Sequence, residues 1–137
     1  MAIIKTTQQS LEALIGSDLR FPIVNSFEPI SGVDLLLQDI QQLLLTTPGE
    51  RLMRPSFGCN IRNMIWENID TVSQNGASEI RSAITKFEPR VTVTSVTSSV
   101  NRNTGLVIFS IVFLINTTTT SANLLFPIRT SQQLASA

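Results

Sequence analysis

The chain contains no histidine and a single cysteine, Cys59, among 137 residues. The first absence removes Ser-His-Asp triads and Cys-His dyads; together they remove His/Cys zinc sites. One cysteine also rules out an intrachain disulfide framework and gives no sign of export. Charge is scarce: charged residues make up 15% and the formal net charge is zero. A neutral chain is a poor partner for nucleic acid or an anionic membrane. Serine and threonine take the place of the missing charges, which suits a subunit surrounded by other protein. No long apolar run is present. Leu106 to Ile115, the longest, is broken by Ser110 and is too short for a helical span of about 20 residues. The first ten residues lack a charged, then apolar, then small-residue pattern, so no targeting segment or membrane insertion is expected and the chain reads as cytoplasmic.

Against these absences stands a 42% apolar content, enough for one domain with a real core. Residues 1–17 read as an N-terminal arm and 129–137 as a loose tail, leaving 18–128 as the domain. Leu19, Phe21 and Ile23 alternate as in a strand, and Pro22 confines that strand to an edge. Ser31 and Asp34 resemble a capping box at the start of the clearest helix. Val33, Leu36, Leu37, Ile40, Leu43 and Leu44 form its apolar stripe, and Pro48-Gly49 ends it. A turn, a short strand from Arg51 to Arg54 and a second turn follow, with Pro48, Gly49, Pro55 and Gly58 as the turn-forming residues. Ile61, Met64 and Ile65 give a short helical turn. Cys59 and Trp66 are assigned to the core.

A second helix, capped by Asp70 or Ser73, runs to Phe87 with Ile80, Ala83, Ile84 and Phe87 on one face. Gly76 inside it costs about 1 kcal/mol relative to alanine. Pro89 forces the helix to stop at Phe87 or Glu88. The period then changes to a strand from Val91 to Val100. Its apolar phase slips, which predicts a bulge near Thr94-Ser95. Asn101 to Gly105 is a hairpin turn. Leu106 to Ile115, apolar on both faces, is the central strand, and Asn123 to Ile128, capped by Pro127, is the third. The fold class is therefore α+β: a single domain, an antiparallel sheet of three to four strands, and helices packed on one face.

Chemistry would have to rest on carboxylates. Glu50 and Glu88 each adjoin an arginine, which opposes the protonated form that a general acid needs. No spacing sets two acids across a cleft, so an acid/base pair for glycoside hydrolysis is the weaker alternative. Arg51, Arg54 and Arg62 lack the aromatic interleaving and glycine-rich loop of a phosphate site. Glu88-Pro89-Arg90 reads either as a helix stop with a surface charge pair or as a docking point, its guanidinium suited to a partner's carboxylate.

The order Asp18-Leu19-Arg20-Phe21-Pro22, a helix, Thr47-Pro48-Gly49-Glu50-Arg51-Leu52-Met53-Arg54-Pro55-Ser56-Phe57-Gly58-Cys59, and a helix ending Phe87-Glu88-Pro89-Arg90-Val91 resembles the baseplate wedge family of contractile phage tails. Type VI secretion baseplates and phage-like particles share this family. Ser56 departs from it, standing where an acidic residue is commoner. The resemblance implies a structural subunit without cofactors; the family's former lysozyme-like label gives the alternative, a small acidic peptidoglycan hydrolase. It implies partners too: the helical core bundle of larger wedge subunits, the tail sheath, whose first ring would pair with the sheet edges, and the central hub or spike. Glu88, Pro89, Arg90, Arg51 and Arg54 are the partner-binding candidates that follow.

Overall fold

The structure, a computed structural model, describes residues 17–19 and 29–130. The expectations for the arm, for Phe21 to Val24 and for residues 131–137 lie outside the described residues. In chain order the elements are β1 (Ser17–Leu19), β2 (Pro29–Ser31), α1 (Val33–Leu45), a 3-10 helix (Asn60–Trp66), α2 (Ile69–Phe87), β3 (Val91–Asn101), β4 (Leu106–Ile115) and β5 (Thr120–Arg129). Strands β1 and β2 form a separate antiparallel ribbon, while β3-β4-β5 is an antiparallel meander with β4 at its centre. This is the α+β class expected.

Period explains the two layers. In β4, Val107, Phe109, Ile111, Phe113 and Ile115 point one way and are fully buried, as alternation in a strand requires. They meet Leu36, Ile40 and Leu44 of α1 and Val72, Ile80 and Ile84 of α2, all in the same core. The intervening residues of β4 are half-buried on the other face. The β3–β4 register shifts between Val93 and Ser95, so the bulge falls where the apolar phase slips. Gly76 faces the sheet, and a Cβ there would lie 2.6 Å from Phe109 Cζ. Its helix-propensity cost is the condition for close approach of α2 to β4.

Several local expectations are corrected. Ser31 does not cap α1. It pairs with Ser17 in the β1–β2 ribbon, and Gly32, at φ 68°, occupies the cap position without a side-chain hydrogen bond. Neither Asp70 nor Ser73 caps α2: Asn68 does, its side chain accepting from the Asp70 N–H. Arg51 to Arg54 is not a strand, because its backbone bonds close local turns, Arg54 N–H donating to Arg51 O and Gly49 N–H to Pro55 O. Trp66 is not core but 72% exposed. With three residues per turn, the 3-10 helix aligns Ile61 with Met64 inward and leaves Trp66 off that line. Pro127 does not end the third strand. It lies within β5 opposite Ile108, tolerated because β5 is an edge strand. That strand continues through Arg129, and the Thr130 N–H donates to Gly105 O at 2.8 Å.

Candidate functional site

The α2 terminus carries the densest charge cluster among the described residues. The helix ends at Phe87, and the Glu88 N–H still donates to Ile84 O. Pro89 then turns the chain so that Glu88 faces inward, only 7% exposed. A carboxylate so placed needs donors. Arg90 supplies them from its own Nε to Oε1 and from Nη2 to Oε2, both at 2.6 Å. Its backbone N–H adds a 3.3 Å bond to Oε1. The same Nη2 donates at 2.6 Å to Asp39 of α1, 51 residues away in sequence. Hydrogen bonding to Glu88, aided by Asp39 and opposed by burial, pushes the Arg90 guanidinium further up from its already high range. The corner is thus an internal bracket, fork against fork, tying α1 to the α2–β3 joint. The Asn116 side chain braces it further by donating to Pro89 O.

Beside the bracket opens a cleft of about 160 Å³. Asp39, Gln42 and Leu43 of α1, Phe87 and Glu88 at the end of α2, and Arg51 and Phe57 from the intervening loop line it. The loop is held by its glycines. Gly49 has φ 96° and Gly58 φ 133°, and a Cβ at Gly58 would lie 2.5 Å from Thr46 O. Cys59 N–H donates to that oxygen. Rings then stack through the cleft wall: Phe57 and Phe87 centroids lie 5.2 Å apart at 60°, Arg51 covers Phe57 at 4.3 Å, and Lys86 covers Phe87 at 5.0 Å. Such tilted pairs and cation–π contacts fix orientation as well as adding area.

The structure therefore brings Glu88 and Arg51 together on the cleft lining, with Arg90 bonded to Glu88 and about one-third exposed and Pro89 exposed between those two. Arg54 lies exposed further along the loop. Arg62 sits apart from the corner, donating to Leu45 O and pairing with Glu50 at 3.7 Å. Asp39, Phe57 and Phe87 also build the site, although sequence reading gave them no role there. Asp39 is one polar residue on the solvent side of α1, and nothing in its neighbours marks it. Phe57, inside the Thr47–Cys59 stretch, and Phe87, at the head of Phe87-Glu88-Pro89-Arg90-Val91, carried a usable signal. Cys59 is buried, and desolvation pushes its thiol up. No group of His, Cys, Asp or Glu among the described residues is arranged to hold a metal, and no described helix is long and apolar enough to cross a membrane.

Two helices over a small meander, with a charged bracket beside an open cleft, define an α+β structural module. Its family follows from comparison: the model for baseplate wedge protein gp25 matches residues 31–120, so the chain belongs to that family. It is a wedge subunit of a contractile-system baseplate. No curated protein matches the chain. Among solved structures it is similar to a Geobacter sulfurreducens protein described as a proposed tail lysozyme, with 31% identity, 75% of this chain and 96% of the other covered, and TM-score 0.66. It is similar as well to a chain of the anti-feeding prophage baseplate, at 25% identity, 92% and 98% coverage and TM-score 0.63. A chain of the postcontracted pyocin R2 baseplate shares the fold, at 20% identity, 82% and 97% coverage and TM-score 0.53.

Proposed function

We infer that the subunit is a non-enzymatic connector, docking through its corner on the helical core bundle of larger wedge proteins near the hub and receiving strands of the first sheath ring on its sheet edges. The observation that carries the first half is the convergence of α1, the loop and the α2–β3 joint on one polar-rimmed cleft. A helical bundle presents carboxylates and apolar ridges to such a cleft. The second half rests on the meander: β3 and β5 are its outer strands, and an outer strand offers unpaired backbone groups to a neighbour. Pro127 removes one donor from β5, and the register shift between Val93 and Ser95 interrupts β3, so each edge offers a shorter ladder than its full length.

The name of the Geobacter sulfurreducens relative favours a second reading, a peptidoglycan hydrolase. The carboxylates argue against it. Glu88 is held by Arg90, and Glu50 Oε2 accepts from the Thr47 N–H, so each carboxylate is engaged within the chain rather than turned toward a substrate.

Replacing both partners tests the docking role. Glu88→Ala with Arg90→Ala removes the buried carboxylate together with its guanidinium and leaves only Asp39, about one-third exposed, to be solvated by water, so the isolated chain is expected to fold while sheath-capped particles fail to form. Normal particles in that variant would contradict the role of the corner. Cell-wall turnover by the purified chain, lost on Glu50→Gln or Glu88→Gln, would establish the hydrolase instead.

A further inference from the structure

The tip of the loop between α1 and the 3-10 helix presents two large apolar side chains to solvent. Leu52 is 95% and Met53 94% exposed. Their backbone is not loose: Arg54 N–H donates to Arg51 O at 3.2 Å, Phe57 N–H to Arg54 O at 3.1 Å, and Gly49 N–H to Pro55 O at 2.8 Å. Arg51 anchors one flank by stacking on Phe57. An apolar pair held out on a constrained loop forgoes burial that a partner can restore at little ordering cost. The flanks decide what kind of partner. From residue 40 to residue 66 the chain carries three arginines, Arg51, Arg54 and Arg62, and one carboxylate, Glu50, which already lies near Arg62. A local excess of cations on a chain with no net charge complements acidic surroundings.

We propose that residues 50–55 form a docking finger, with Leu52 and Met53 entering an apolar groove on a neighbouring protein whose rim carries Asp and Glu facing Arg51 and Arg54. The finger continues the cleft wall through Arg51 but engages the partner separately from the Glu88–Arg90 bracket. The proposal rests on the baseplate reading only for where that neighbour is found.

The test uses cells that make the complete particle, with the full chain carrying Leu52→Asp and Met53→Asp supplied in place of the wild type. Copies per purified particle are counted by quantitative mass spectrometry. Losing two buried apolar anchors is expected to lower incorporation about tenfold or more. The Tm of the isolated variant is expected to match the wild type, because both side chains are almost fully exposed among the described residues. Arg54→Glu is expected to lower incorporation also, and a photo-crosslinker at position 53 to join a single baseplate subunit at a segment mixing apolar and acidic residues. Wild-type incorporation of the Asp pair would overturn the finger while leaving the baseplate reading intact. A lowered Tm would overturn it by showing that the tip is packed. So would a crosslink to a segment without acids, or capture of the wild type but not the Asp pair by phosphatidylcholine–phosphatidylglycerol vesicles. Absence of the wild type itself from particles would overturn both readings.

Discussion

A Cβ at position 76 would stand 2.6 Å from Phe109 Cζ and 3.0 Å from Ile61 Cδ1. Alanine there gains helix propensity of about 1 kcal/mol but must push an aromatic ring out of a packed core, a cost of about 1–3 kcal/mol. Gly76→Ala is therefore expected to lower stability in denaturant titration, reversing the propensity order. Thr119 makes the opposite case. It holds φ 51° in the β4–β5 turn, a region that a β-branched residue enters at a cost of about 1–2 kcal/mol. Thr119→Gly is expected to raise the midpoint of thermal unfolding; a fall would show that the Thr119 hydroxyl bond to Thr118 O outweighs the strain. Cys59 sets an alkaline limit. Burial raises its pKa in the folded chain above the ordinary 9.0, so above that pH the unfolded chain releases a proton that the native chain keeps. Stability is fully present below 9.0 and declines as pH rises toward the native value. The chain has no tyrosine, which leaves this loss readable, and Cys59→Ala is expected to flatten the slope between pH 9 and 11.

Elements differ in how openly the sequence declares them. The stripes of α1 and α2 and the alternation of β4 follow from hydrophobic period, and even the bulge between Val93 and Ser95 is visible as a slip of phase. Those features are repeated over many residues, so no single neighbour decides them. The loop from Pro48 to Gly58 is settled by a few individual hydrogen bonds, and its Arg51–Arg54 stretch looks like a strand until no partner strand is found. The bracket was half legible. Glu88-Pro89-Arg90 announces a charged joint, but the third member, Asp39, arrives from a helix 51 residues upstream through tertiary packing alone. Arg90→Ala alone tests that bracket. Glu88 would be left buried without its main donor, a loss of 3–5 kcal/mol for a fully buried pair. Because Arg90 and Asp39 are each about one-third exposed, solvent screening reduces the expectation to about 1–2 kcal/mol, read as a shift in denaturant midpoint. No change would mean that water replaces the guanidinium freely. Asp70–Arg102, exposed on both sides, is expected to contribute under 1 kcal/mol.

At the scale of the molecule, one buried face of the sheet provides the stability and the periphery is left for neighbours. The helices cover one face of the meander, both outer strands lie at its margins, and the bracket, cleft and finger gather around the α2–β3 joint and the loop. The family match over residues 31–120 places this module in a baseplate wedge, and the proposed division of labour is a corner facing the wedge bundle and strand edges facing the sheath. A cryo-EM map of the complete particle that this chain belongs to tests this account most directly. The account predicts this fold at the wedge, with Glu88-Pro89-Arg90 covered by a helical bundle of another subunit and a foreign strand paired to β3 or β5. A particle whose baseplate holds this fold with the corner open to solvent and both outer strands unpaired would contradict it.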